Sequence, residues 1–194
     1  TFAATNICLQ SEDFSTTWAL QNATISTNTA LAPDGTSTAD SLDEDGTSAA
    51  NHQVIQSITY VSGSTYTLSW YAKKANRDWT YLQIDSQFPS NTYGYFDLVN
   101  GVVGTLGAGA DSLGIESVGS EWFRCWVTAT ATGSGISSTK IRAALSDGTT
   151  PFDGLSQAST YLWGVQIETG SVPSSYIPTT TTAVTRVAEG FTQS

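Results

Sequence analysis

The sequence lacks several features on which specific functions depend. It has no methionine, one histidine, two cysteines and only seven lysines and arginines against 17 acidic residues, giving a net charge of -10 over 194 residues. So few cations argue against a nucleic-acid groove or an anionic membrane as the partner. Two cysteines cannot make a disulfide framework, although a Cys8–Cys125 bridge stays open if their strands are neighbours.

Long apolar runs are missing as well. No run of about 18 apolar residues could form a transmembrane helix, and no basic start with an apolar segment indicates a signal peptide. Because even position 1 is not a methionine, we expect a fragment of a longer protein. Charged residues are only 12% of the chain, while Thr, Ser, Gly and Ala are abundant, which favours strands and turns.

What is present is a series of short alternating segments bounded by turn residues. Pro33-Asp34-Gly35 is a turn signal, and Asn100-Gly101 between apolar alternations predicts a hairpin over residues 93–106. No segment keeps a helical period for ten residues. We therefore predict an all-β fold, a two-sheet antiparallel β-sandwich of the jelly-roll type, with residues 1–178 as one domain and 179–194 as an extended tail or link.

The stretch from Tyr66 to Asp85, YTLSWYAKKANRDWTYLQID, predicts two strands joined by a polar connection. Alternation divides each strand between a core face and an outer face. Across the chain it predicts a buried set: Leu68, Leu82, Ile84, Phe123, Val127, Ile141, Val165 and Ile167. The outer face of the pair would carry several aromatic rings, which indicates either a binding partner or a covering loop or subunit.

Aromatic rings set among amides and cations suit sugars, because a sugar ring has an apolar C–H face and a rim of hydroxyl groups. Residues on three later strands also fall opposite the core set and extend the same face if the strand order permits. The predicted ligand-binding residues are Tyr71, Lys73, Trp79, Tyr81, Gln83, Arg124, Arg142 and Gln166.

Catalysis is not predicted. His52, the only histidine, lies in a strand pattern where a structural role is commoner than one in a catalytic triad. Glycoside hydrolysis would need two carboxyl groups about 5–10 Å apart in a cleft. The acidic residues on or beside strands are Asp85, Asp97, Glu116, Glu121 and Glu168. We interpret them as solvated surface groups and expect a protein that is not an enzyme.

Several segments together resemble one family. They are SEDFSTTW near the start, PDGTSTAD (33–40), YTLSWYAK (66–73), SEWFRCWVT (120–128), YLWGVQIETGS (161–171), SSYIPT and AVTR. In order and spacing they are similar to the jelly-roll, carbohydrate-binding-module-like domains of tail-fibre, spike and head-fibre proteins of tailed bacteriophages. The resemblance implies a concanavalin-A-like or carbohydrate-binding sandwich, used for adhesion or decoration.

The resemblance also implies a setting and partners. The protein would belong to a virion assembled in the host cytoplasm and would bind host-surface polysaccharide or glycan. Other virion subunits would be partners, with a homotrimer and a monomeric module both open. The alternatives are a decoration or assembly domain without a sugar ligand, and an accessory domain of a polysaccharide-degrading spike.

Calcium is the expected metal, because carboxylates and loop carbonyls are the ligands that it prefers. Modules of the resembled kind often hold a structural calcium between their first and last strands. That implies a site formed by Glu12 or Asp13 together with Glu168. A second candidate is the acidic turn Asp43-Glu44-Asp45-Gly46, although it lacks the spacing of an EF-hand.

Overall fold

The computed structural model describes residues 3–188 and is built from short strands. In chain order these are β1 (Ala4–Asn6), β2 (Ala19–Gln21), β3 (Ala23–Ala30), β4 (Ala39–Glu44), β5 (Gln53–Tyr60), β6 (Thr65–Lys74), β7 (Trp79–Ile84), β8 (Thr92–Asp97), β9 (Val102–Leu106), β10 (Ser112–Gly119), β11 (Trp122–Thr130), β12 (Gly135–Ala144), β13 (Gln157–Thr169) and β14 (Val184–Arg186). Within this range no helix is long and apolar enough to cross a bilayer.

Two six-stranded sheets form the body of the domain. Sheet A has the order β10-β11-β6-β13-β4-β3, sheet B has the order β2-β5-β12-β7-β8-β9, and β1 pairs with β14 in a separate ribbon. The strand pairs between residues 3 and 188 are all antiparallel. The chain passes repeatedly from one sheet to the other, as in a jelly roll. The predicted two-sheet antiparallel β-sandwich is confirmed.

Alternate residues of the facing strands fill one core between the sheets. Trp70 of sheet A and Phe96 of sheet B meet edge to face across the interior, with 5.2 Å between ring centroids. The predicted core set is buried except for Phe123, which is partly buried and packs at the edge of the core. Phe123 covers the β8–β9 turn, where a Cβ on Gly101 would lie 2.5 Å from its Cε1 atom.

The two strands predicted within Tyr66–Asp85 form, but they do not pair with each other. β6 lies in sheet A between β11 and β13, whereas β7 lies in sheet B between β12 and β8. The short connection between them therefore crosses the sandwich and does not close a hairpin. The hairpin predicted around Asn100-Gly101 does form, between β8 and β9, and Gly101 adopts the positive φ of 64° that its turn requires.

The two ends of the domain meet. Asn6 donates hydrogen bonds from its side chain to the carbonyl oxygens of Val165 (3.0 Å) and Ile177 (2.8 Å). Thr179 is buried and donates to the carbonyl of Cys8 at 2.6 Å. The part of the expected tail that the structure describes thus returns to the sandwich, where β14 pairs with β1. The disulfide left open by the sequence does not form, since Cys8 and Cys125 are both free and buried.

A buried ion pair fixes the connection between β6 and β7. Arg77, in that connection, donates to the Glu44 carboxylate from Nε at 2.9 Å and from Nη2 at 2.6 Å. Glu44 also accepts hydrogen bonds from the Leu155 amide, the Gln157 side chain and the Ser159 hydroxyl, at 3.0–3.1 Å. Burial by itself would raise the pKa of Glu44, but these donors outweigh it and the pKa is lowered.

Replacing Leu82 by alanine tests the core assignment. Leu82 is 1% exposed between the sheets, so the truncation leaves a cavity and should cost about 2–5 kcal/mol of unfolding free energy. Chemical denaturation measures the loss, with Leu106→Ala as the control because Leu106 is 45% exposed. A loss below about half a kcal/mol at Leu82 would contradict the assignment, since such small effects are typical of surface positions.

Replacing Glu44 by glutamine should cost about 3 kcal/mol or more at neutral pH, because the buried Arg77 loses its counter-ion. A carboxyl whose folded pKa is lowered stabilises the fold above its unfolded pKa and loses that contribution as pH falls. The difference between wild type and variant should therefore shrink below about pH 4.3, the unfolded value.

The matched control is Glu121→Gln. Glu121 pairs with Lys73 at 3.0 Å but its side chain is 75% exposed, so its loss should cost less than about 1 kcal/mol. Equal costs for the two substitutions, or a difference at Glu44 that does not change with pH, would contradict the account of the buried pair.

Candidate functional site

The outer face of sheet B concentrates aromatic and polar side chains in one row across four strands. The register places Gln53 of β5 beside Arg142 of β12, Arg142 beside Tyr81 of β7, and Tyr81 beside Tyr95 of β8. Period-two alternation turns Trp79 to the same face as Tyr81, while Thr80 and Leu82 point inward. We call this outer surface, formed by Trp79, Tyr81, Tyr93, Tyr95 and Arg142, the tyrosine face.

The rings of the tyrosine face pack on one another. The Tyr81 centroid lies 4.4 Å from that of Tyr95 and 5.5 Å from that of Tyr93. Tyr81 and Tyr95 are nearly buried and form a floor, while Trp79 and Tyr93 are half-buried at either side of it. Burial raises the pKa of the Tyr81 and Tyr95 hydroxyls, so both stay protonated at neutral pH.

A chain of hydrogen-bonded polar side chains extends from Tyr81 along β7 to Asp85. The Tyr81 hydroxyl donates to Gln83 at 3.2 Å, and the Gln83 amide donates to Asp85 at 3.0 Å. Lys140 forms an ion pair with the second oxygen of Asp85. The face thus carries neutral and charged hydrogen-bonding groups directly beside its rings.

Three donors on the tyrosine face have no partner between residues 3 and 188. They are the Trp79 indole N–H, the Tyr93 hydroxyl and Nη2 of Arg142, none of which is sealed from solvent. By their register, Trp79 and Tyr93 lie four residues apart along neighbouring strands, or about 14 Å. The face therefore offers open donors over a length that suits an oligomeric ligand.

The loop that connects β12 of sheet B to β13 of sheet A borders the tyrosine face. The Thr150 hydroxyl lies 3.2 Å from that of Tyr95. Phe152, in the same loop, packs on His52 at 4.7 Å and under the Arg77 guanidinium at 4.7 Å. On β9, Gly104 has no side chain, and a Cβ there would lie 2.6 Å from Cζ3 of Trp79 and 2.7 Å from Oδ1 of Asp147, which belongs to the same loop. The loop and β9 therefore pack together around the rings.

The other half of the predicted binding set lies on the opposite side of the sandwich. Tyr71, Lys73, Arg124 and Gln166 belong to β6, β11 and β13 of sheet A, so the prediction of one shared face is wrong. The strand order does not permit it, because β6 and β7 lie in different sheets.

Tyr71 is covered by the chain itself. Its ring packs edge to face on Trp163 at 5.2 Å and on Tyr176 at 6.0 Å, and Tyr176 comes from the segment after β13. Gly164, with φ of 61°, forms a bulge in β13 where a Cβ would lie 2.8 Å from the Tyr71 ring. On the outer face of sheet A, the Tyr71 ring is thus covered by a segment of the chain itself and not by a binding partner.

Polar residues hold that covering segment in place. Gln166 accepts from the Ile177 amide at 2.7 Å and donates to Ser174 at 3.0 Å. Lys73 pairs with Glu121 at the sheet edge. Arg124 donates to Ser69 at 2.9 Å, and its guanidinium carbon lies 5.4 Å from the Tyr71 ring centroid. These contacts stabilise the fold of sheet A.

The carboxylates expected to bind calcium each accept hydrogen bonds from different protein donors. Glu12 accepts from the Tyr176 hydroxyl at 3.0 Å, Asp13 accepts from its neighbours Ser15 and Thr16, and buried Glu168 accepts from Gln166 and Ser174. Across residues 3–188, no three His, Cys, Asp or Glu side chains gather to hold a metal ion. In the acidic turn, Glu44 is the partner of Arg77.

His52 is enclosed. Nδ1 lies 2.6 Å from the carbonyl oxygen of Asn22, and Nε2 lies 3.3 Å from that of Phe152. Both nitrogens thus face backbone carbonyl oxygens, and the side chain has no exposed surface. Its position gives it a structural role beneath the loop that borders the tyrosine face.

A polar groove of about 580 Å³ lies elsewhere, on the outer face of sheet A beside β3. Three acidic residues line it: Asp43 accepts hydrogen bonds from Ser26 and Ser41, Glu44 pairs with Arg77, and Asp45 accepts from the Thr47 amide. Tyr161 is its one aromatic ring. We favour the tyrosine face as the candidate site, because stacked rings and unpartnered donors occur together there.

Sequence reasoning missed Tyr93, Tyr95 and Gln53. The alternation in YGYFDLV places both tyrosines opposite Phe96, which could have indicated their face. Their position beside Tyr81 depends on the pairing of β7 with β8, which a single sequence does not specify.

The comparisons with known proteins are sparse. No protein-family model matches the chain, and no curated protein matches it. The enzymatically active domain of tailspike protein 4 of bacteriophage CBA120 is similar over 82% of this chain, with 17% identity and a TM-score of 0.47, and this chain spans 20% of its length. The CBM22-1 xylan-binding domain of Paenibacillus barcinonensis Xyn10C is similar over 87% of this chain and 94% of its own, with 12% identity and a TM-score of 0.44.

These likenesses are too distant to support an argument about ligand or activity. The function is therefore inferred from the residues of this chain alone.

Removing divalent cations tests the prediction of a calcium site. Because the three candidate carboxylates are bound to separate protein donors, we expect the same thermal unfolding curve in a chelator and in millimolar calcium. A bound ion would stabilise the folded state by mass action. A melting temperature that falls in chelator and returns with calcium would show that a calcium site exists.

Proposed function

We propose that this domain is a non-catalytic carbohydrate-binding module that takes its ligand on the tyrosine face. The observation that carries the proposal is the combination of a stacked aromatic floor with three solvent-reaching donors that lack a partner among the described residues. Flat rings match the apolar face of a sugar, and open N–H and O–H groups match its hydroxyls. Trp79 and Tyr93 are the side chains best placed for direct contact.

We also propose that the domain catalyses no reaction on its ligand. Asp85, which directly follows β7, is engaged by Lys140 and Gln83. Asp97 accepts from Asn100 and from two backbone amides, and Asp147 accepts from Thr105. Each of these groups is occupied by protein donors, which suits a binding surface better than an acid and base pair.

The biological setting is proposed on the resemblance of the sequence. We infer a module of a phage virion protein that attaches to glycans of the host surface.

Replacing Trp79 by alanine tests the proposal. Losing an aromatic anchor commonly costs about 2 kcal/mol, so binding to glycans on an array or to bacterial cells should weaken at least about thirtyfold. The fold should survive, because the ring lies outside the core between the sheets. Binding is measured by titration, and folding by the thermal unfolding curve.

Trp126→Ala is the matched control. Trp126 is also half-buried with an indole N–H that reaches solvent, but it lies on the outer face of sheet A. The Trp126→Ala variant should bind glycan with the affinity of the wild type. If the Trp79 variant folds and binds unchanged, the tyrosine face is not the site. If the wild type binds no glycan and light scattering shows oligomers, the domain serves assembly.

A further inference from the structure

Arg142 is a nearly buried cation without a carboxylate partner. Its side chain is 7% exposed on the tyrosine face. The salt bridges found between residues 3 and 188 involve other basic groups: His52, Lys73, Lys74, Arg77 and Lys140. Burying a charge is costly unless an opposite charge or hydrogen bonds compensate it. Arg142 is therefore a candidate for binding an anionic group of a ligand.

Neutral neighbours hold the guanidinium in position. Nε donates to the side-chain oxygen of Gln53, Nη1 donates to that of Asn51 at 3.3 Å, and the plane lies over Tyr81 with 5.1 Å from Cζ to the ring centroid. Burial lowers the pKa of Arg142, but an arginine remains protonated at neutral pH. The side-chain amides of Gln53 and Asn51 orient the guanidinium without neutralising its charge. Nη2 of Arg142 has no hydrogen-bond partner between residues 3 and 188 and is not sealed from solvent.

We infer that the glycan bound by the tyrosine face carries an oxyanion, either a uronate carboxylate or a sulfate ester, which accepts a hydrogen bond from Nη2 of Arg142. The inference rests on the proposed function and names the class of its ligand. A charged donor binds an oxyanion more strongly than a neutral hydroxyl, and the pre-oriented guanidinium loses little freedom on binding. The adjoining rings would hold the body of the sugar.

The net charge of -10 does not oppose an acidic ligand at this position. Asp85 is neutralised by Lys140. The register places Asp97 two strands and two residues away from Arg142, about 12 Å between Cα atoms. The Asp97 carboxylate accepts hydrogen bonds from the Asn100 side chain and from the backbone amides of Val99 and Asn100. Arg142 therefore sets the local charge beside Tyr81.

The opposite face supplies an internal control. Arg124 is 8% exposed, lies over Tyr71 at 5.4 Å and also lacks a carboxylate in ion-pair contact within the described part of the chain. It sits on the outer face of sheet A, beside the rings covered by the segment after β13. An effect of general protein charge would be the same for both arginines, whereas ligand contact would single out Arg142.

The experiment measures binding to matched oligosaccharides. The probes are oligomers of galactose and glucose, their uronate counterparts, and sulfated galactose oligomers, titrated against wild type, Arg142→Gln, Arg142→Lys and Arg124→Gln. We expect at least one acidic probe to bind the wild type about tenfold or more tightly than its neutral counterpart. Arg142→Gln should lose that preference, Arg142→Lys should keep part of it, and Arg124→Gln should keep all of it.

The arms separate the outcomes. Binding of neutral and acidic probes with equal affinity, or an acidic preference that survives in Arg142→Gln, overturns the inference and leaves the proposed function standing. An unchanged melting temperature of Arg142→Gln shows that the lost preference is not a loss of folding. If no probe binds in any arm, the proposed function fails and the inference fails with it. The uronate and sulfate arms identify which oxyanion is preferred.

Discussion

The buried ion pair between Arg77 and Glu44 is the interaction on which the geometry of the candidate site depends. Arg77 lies where the chain leaves sheet A for sheet B, and Glu44 ends β4. The same guanidinium lies over the Phe152 ring, and the loop that carries Phe152 brings Thr150 to Tyr95. One pair of charges thus fixes both the crossing between the sheets and the border of the tyrosine face.

The connection between β6 and β7, which crosses from sheet A to sheet B, determines which aromatic residues come into contact. It sends Tyr71 to the outer face of sheet A, where Tyr176 and Trp163 pack against it, and Trp79 to sheet B, where the tyrosines of β8 adjoin. Both faces carry an arginine stacked on a tyrosine. They differ in what lies above the rings, because the segment after β13 covers those of sheet A and is held there by hydrogen bonds to Gln166.

Alternation in the sequence was sufficient to predict the fold class, the buried residues and the common face of Trp79 and Tyr81. It could not predict the rest of the site, because a period of two tells inward from outward side chains but not which sheet a strand joins. Tyr71 and Trp79 lie only a few residues apart, yet they occupy opposite surfaces. The neighbours of Tyr81 come from a strand pairing, and the cover over Tyr71 comes from residues about 100 positions later in the chain.

The central claim, that ligand binds on the outer face of sheet B, is tested most directly by the indole N–H signals of the six tryptophans. Trp79 and Trp126 each have an N–H that reaches solvent, one on each outer face, whereas those of Trp18, Trp122 and Trp163 are hydrogen-bonded. In a nitrogen–proton NMR titration with an oligosaccharide that binds, the account predicts that the Trp79 signal shifts with saturation while the Trp126 signal stays in place. A shift of Trp126 with Trp79 unchanged would contradict it.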